Sequence, residues 1–206
     1  MITIGIELNH VIRNINKQIA KYYAKEYTID VDLDDIDDKE NILDTFAKFE
    51  DKYKKYNFIY IDYPFECFAA AKPVDNKLPT QINNWLVELD NREDEEFRIV
   101  YYSLYEDALT IQSTFFFLSK IGTRVREVFF PKNLDEIWKH CDVVITTNKE
   151  VIDNKPSDKQ TIKIIGNGNQ EDGSVGNFEY NSLAEVIQDE KFLDKIKYRK
   201  QLKKEE

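Results

Sequence analysis

Five stretches of the 206-residue chain carry side chains whose types and spacing could do chemistry. The acidic run Asp30 to Glu40, DVDLDDIDDKE, sets aspartates at positions one, three and five of a possible calcium loop. Its sixth position is Asp35, where the sharp turn needs glycine, and its twelfth is Asn41, where a bidentate glutamate is needed. It therefore reads as a solvated loop whose acids favour the N-terminus of the next helix. Gly166 and Gly168 begin a dinucleotide-like fingerprint, but Glu171 takes the third glycine position, so a surface loop is expected there. His140, Cys141 and Asp142 are adjacent, and consecutive side chains on a regular element point apart, which keeps them from converging on a metal without help. Ser103 lacks a Gly-x-Ser-x-Gly elbow, and only His10 and His140 could serve it as a base, which argues against a serine-hydrolase triad. Lys195, Lys197, Arg199, Lys200, Lys203 and Lys204 give an acidic protein a basic end. This reads as a solvated helix face, with docking to an acidic partner or a nucleic-acid backbone as the alternative.

Composition bounds what those residues can belong to. Twenty-nine Lys and Arg against 39 Asp and Glu leave a formal net charge of −10, which argues against a phosphate-tracking nucleic-acid binder. With 42% hydrophobic and 33% charged residues, the chain is expected to fold and to remain soluble. No apolar run reaches the roughly 18 residues of a membrane span, and the opening Ile2, Ile4 and Ile6 give way at once to Glu7, Asn9 and His10, unlike a signal peptide. Cys67 and Cys141 are too few for a disulfide framework or a zinc cage, and a reducing interior is the default. The abundance of Ile, Lys and Asn (23, 23 and 16 residues) follows A/T-rich codons and points to no chemistry of its own.

The elements that must position these side chains follow from periodicity. Ile2 to Leu8 is short and β-branched, a core strand. Asn9 is a plausible N-cap for a helix carrying Val11, Ile12, Ile15, Ile19 and Tyr23 on one face, with Arg13, Lys17 and Lys21 elsewhere. Polar residues at the carboxyl end of such a strand stand where open α/β sheets place their sites. From 27 to 96 the pattern is helical: one helix with Leu43, Phe46, Phe49 and Tyr53, an ambiguous aromatic stretch from Asn57 to Lys72 with a helix after Pro64, and a third helix from Thr80 to Asp90. Thereafter strands at 97–102, 125–130, 142–146 and 161–165 alternate with helices at 106–120 and 134–139, and a final helix spans 181–200. The expectation is an α/β fold, a Rossmann-like parallel sheet of five strands with helices on both faces. Residues 1–26 and 97–206 would form the core, and 27–96 an inserted helical cap.

This order resembles the haloacid dehalogenase-like (HAD-like) superfamily, in particular its deoxyribonucleotidase branch, which carries a helical cap after the first strand and helix. The family's Asp-x-Asp-Gly-Val motif aligns with Glu7-Leu8-Asn9-His10-Val11. Its Ser or Thr at the end of the second strand aligns with Ser103, and its lysine before the fourth strand with Lys132, or alternatively Lys139. Its paired aspartates at the end of the fourth strand align with Thr146 and Thr147. The resemblance implies an aspartyl-phosphate mechanism with Mg²⁺, but the residues depart from it at each chemical position. Glu7 sets its carboxylate one methylene too far for the nucleophile, Asn9 cannot donate and recover a proton, and two neutral threonines replace metal-binding carboxylates. A catalytically inactive domain with no cofactor is expected, with a Mg-dependent 5′-nucleotidase or phosphatase as the alternative.

Thirteen Phe, 12 Tyr and two Trp suit protein contacts as well as core packing. The opening Ile4 to Asn14 and the Phe115 to Lys120 run are similar to proteins of crAss-like tailed bacteriophages. That resemblance implies a virion component, a homo-oligomeric subunit of a tail or neck ring contacting other virion proteins.

Overall fold

Strand β1, Ile2–Glu7, lies at the centre of the sheet because its residues can be buried on both faces. Ile2, Ile4 and Ile6 point to one side with Leu8, while Gly5 and Glu7 point to the other. The computed structural model describes residues 1–28, 30, 32, 33, 36, 56–92, 97–166 and 173–197. Its main sheet joins β4 (Phe97–Tyr102), β5 (Val128–Phe129), β6 (Val143–Thr146), β7 (Gln160–Ile164) and β8 (Phe178–Tyr180) to β1. The spatial order is β5-β4-β1-β6-β7-β8, and every pair is parallel. This is a Rossmann-like, doubly wound α/β fold. It has six strands where five were expected, since the three residues of β8 are too few to show a period and follow the glycine-rich stretch.

The chain runs outward from β1 through β4 to β5, then returns to the other side of β1 and continues through β6, β7 and β8. Reversal of direction puts the helices on opposite faces. Helices α1 (Ile15–Tyr27), α2 (Leu78–Asp90), α3 (Ala108–Ile121) and α6 (Leu183–Gln188) share one apolar cluster with Ile4, Ile6, Ile99 and Ile145. Helices α4 (Leu134–His140) and α5 (Lys149–Asp153) cover the other face, where Ile137, Trp138 and Val151 meet Val100, Tyr102 and Val144. There a Cβ on Gly5 would stand 2.5 Å from the Cys141 sulfur, so this strand position must be glycine for the α4–β6 turn to pack.

Helix α1 begins at Ile15, not at Val11. Residues 13 and 14 form a short strand, β2, antiparallel to β3 (Lys72–Pro73). Asn9 makes no cap, because its side-chain oxygen is bonded to Arg13. The ambiguous stretch resolves into two π-helical segments, Phe58–Asp62 and Phe65–Ala69, which pack on α1 and α3. Phe58, Ile59, Phe68, Ile82 and Trp85 are buried in the same cluster as the strands, so the insertion shares the core's apolar interior. The final helix breaks after Gln188 and resumes over 192–197, where Phe192 and Ile196 return to the core. The helix expected around Leu43 to Tyr53 and most of the acidic run lie outside the described residues, as do positions 167–172 and 198–206. Among the described residues no helix is long and apolar enough to cross a membrane.

Candidate functional site

Ligands of doubly wound sheets bind at the carboxyl ends of the strands, where the order reverses. Here that point lies between β1 and β6, with the end of β4 on the other side of β1. All six residues aligned with the family motifs lie along this edge, in three groups.

The first group closes the gap between β1 and β6. Glu7 is 4% exposed, and its Oε2 accepts hydrogen bonds from the Thr146 hydroxyl at 2.5 Å and the Thr147 backbone N–H at 3.2 Å. Thr146 in turn accepts from the Asn148 N–H at 2.9 Å. Burial pushes the Glu7 carboxyl up to about 7, against the opposing effect of the Thr146, Thr147 and Asn148 donors. Tyr102, beside Glu7 in the β1–β4 register, is held well above the ordinary phenol range by burial and then by the Glu7 charge.

The second group joins β1 to β4 through a residue that periodicity had placed outside the apolar face. Arg13 is fully buried. Its Nη2 lies 2.6 Å from Glu106 Oε1 and 2.6 Å from Asn9 Oδ1, its Nε donates to the same Asn9 oxygen at 2.9 Å, and its Nη1 donates to the Thr114 hydroxyl at 2.6 Å. Ser103 donates to Glu106 Oε1 at 2.5 Å and accepts from the Asn9 amide at 3.3 Å. Thr114 reaches the other Glu106 oxygen at 2.7 Å. The guanidinium carbon also stands 4.9 Å from the Phe68 ring centroid and 5.4 Å from that of Phe117. A buried charge of this kind persists only when paired and hydrogen-bonded, and Arg13 is both.

Lys132 forms the third group. Its ammonium donates to the Glu106 carbonyl, so it caps the same loop from outside. Lys139 lies in the last turn of α4, exposed.

Two backbone outliers flank this edge: His10 at φ 66° after β1 and Tyr105 at φ 63° after β4. Burial and the nearby Arg13 charge push the His10 imidazole down to about 3, so it is neutral. Tyr60, from the first π-helical segment, is pushed up to about 12 by burial and by the Glu106 charge.

Among the remaining described candidates, His140, Cys141 and Asp142 precede β6 and so lie apart from this edge. His140 packs against the Phe129 ring at 5.0 Å, Cys141 is buried against Gly5, and Asp142 accepts from the Thr3 N–H at 3.1 Å and from Lys159 at 3.3 Å. Lys195 pairs with Asp189 at 2.5 Å.

Arg13, Glu106 and Thr114 were not singled out from sequence. The available signal was weak: an arginine among Val11, Ile12 and Ile15, with the uncharged polar Asn14 and Asn16 beside it.

Chemically, the edge is largely a set of donors and acceptors bonded to one another, with the Tyr102 hydroxyl and His10 Nδ1 buried without a partner. Mg²⁺ is held by one or two carboxylates and water. The residues here do not fit it, because the Glu7 oxygen that faces β6 already accepts a hydroxyl and an N–H, and both threonines are neutral. Among the described residues no three His, Cys, Asp or Glu side chains are grouped to hold a metal. The chain matches no protein-family model and no curated protein.

Proposed function

We propose that this chain is a catalytically inactive HAD-like domain that serves as a structural or assembly protein, and that its setting is the tail or neck ring of a tailed bacteriophage virion. The observation that carries the inert part is the engagement of Glu7. The carboxylate in the nucleophile position accepts from Thr146 and Thr147, the very positions that would need to be metal-binding acids. Ser103, in the position that would hold a phosphate, donates its hydroxyl to Glu106 instead. The departures at Glu7, Thr146 and Thr147 are thus bonded to one another, and Asn9 is bonded to Arg13 and Ser103.

The assembly part draws support from exposed apolar side chains. Leu109, Phe115 and Phe116 on α3 are about half exposed, as are Phe65, whose ring lies 5.0 Å from that of Phe116, and Ile61. Exposed aromatic groups of this kind favour protein contacts. The phage setting draws on the resemblance of the opening strand and the Phe115 to Lys120 run.

The alternative is a Mg-dependent nucleotidase using Glu7, favoured by the place of that residue at the end of the central strand. The donors around Glu7 argue against it. The structural role is tested by light scattering on the purified protein and by mass spectrometry of purified virions. A cyclic oligomer and recovery of the chain in stoichiometric amounts are expected; a strict monomer that is absent from particles would overturn the role.

A further inference from the structure

We propose that Arg13 locks the segment 56–92 onto the sheet, so that this segment does not open and close over the carboxyl edge of the strands. Arg13 is tied to that segment and to the core at the same time. Its backbone lies opposite Pro73 in the β2–β3 ladder, and the preceding Ile12 carbonyl accepts from the Val74 N–H at 2.8 Å. Its side chain is anchored on the other side, to Asn9 after β1, to Ser103 and Glu106 after β4, and to Thr114 on α3. Any movement of the segment away from the sheet must either drag the Arg13 backbone or break the ladder.

The segment also covers the guanidinium. Phe68 lies against it, and its withdrawal would forfeit a desolvated cation–π contact as well as apolar burial. Further ties run from core to segment around the same point. Lys120 on α3 donates to the carbonyls of Ala69, the last residue of the second π-helical segment, and of Ala71 just after it, at 2.6 and 2.8 Å. Gln18 on α1 donates to the Glu66 carbonyl at 2.8 Å, and Asn83 on α2 bonds Gly122 and Arg124 at the end of α3. These bonds join the segment to α1, to α3 and to the turn after α3, so no single axis is left about which it can swing.

Native-state hydrogen exchange tests the lock. In the wild-type protein, amides at 58–71 are expected to exchange as slowly as those of β1 and β4, through global unfolding alone. Arg13→Lys keeps the charge but loses the fork, and should speed exchange at 58–71 by about tenfold or more relative to β6 and β7. Wild-type amides at 58–71 exchanging far ahead of β1 and β4 would overturn the proposal, as would a variant that speeds all elements equally. If Arg13→Lys does not fold, Phe68→Leu gives the same comparison. Exchange is read without substrate, so the lock can fail while the inert reading stands, and the reverse.

Discussion

Arg13 and Glu106, 93 residues apart, meet at 2.6 Å with 0% and 1% of their side chains exposed. One follows β1 and the other β4, so the pair fixes the relation of two loops that a substrate would have to enter. A charge left alone in this setting is costly. Arg13→Met and Glu106→Leu are each expected to lower stability by about 3–5 kcal/mol, since each strands the other charge. The double variant should lose much less than the sum. Urea midpoints of the four proteins measure the coupling, and additive losses would contradict a desolvated pair.

Glu7 should make stability fall as pH rises. Its carboxyl goes up from the ordinary 4.5 to about 7 in the folded protein, through burial. Between those values the folded chain holds a proton that the unfolded chain has released, so the unfolded state gains on raising the pH. The loss begins near pH 4.5, is complete above pH 7, and amounts to about 3 kcal/mol at most. Glu7→Gln should remove this component, visible as a flatter stability profile between pH 5 and 8. A Glu7 carboxyl resonance that titrates near 4.5 would contradict the burial argument.

Gly5 and Cys141 form a close contact that a methyl group cannot enter. Gly5→Ala should cost roughly 1–3 kcal/mol by overpacking against the sulfur. Cys141→Ala removes that sulfur and leaves the Cys141 Cβ at 3.4 Å and a Tyr102 ring carbon at 3.5 Å from the added methyl. The two substitutions together should therefore cost less than their sum, which thermal or urea unfolding will read directly.

Asp107 closes the N-terminus of α3 with a capping box, accepting from the Leu109 and Thr110 N–H groups while Thr110 Oγ1 accepts from the Asp107 N–H. Asp107→Ala should cost about 1 kcal/mol, and Asp107→Asn less, because both oxygen-bearing side chains can accept these bonds.

Much of the fold was legible because parallel strands buried on both faces read as short apolar runs. Ile2 to Glu7, Phe97 to Tyr102 and Val143 to Thr146 are of this kind, and Gly122 marks the end of α3 with φ 71°. β8 and the two π-helical segments were not legible, because three residues show no period and a π-helix has no distinct hydrophobic repeat. At the site, the positions of Glu7, Asn9, Ser103 and Thr146 could be read from strand ends. The bonding of Glu7 with Thr146 could not, because it depends on the pairing of β1 with β6, and that of Asn9 and Ser103 could not, because it depends on Arg13. Its neighbours in sequence suggest a helix with a solvated arginine, whereas the β2–β3 ladder turns its backbone and directs the side chain inward toward Glu106 and Thr114, about ninety to a hundred residues away.

The most direct test of the claim that this edge is bonded to itself and does no phosphoryl transfer is a turnover assay. Purified protein is incubated with Mg²⁺ and a panel of nucleoside monophosphates, beside Glu7→Ala. Phosphate release indistinguishable from buffer, and the same in both proteins, is the predicted result. Release by the wild type that vanishes in Glu7→Ala would contradict it.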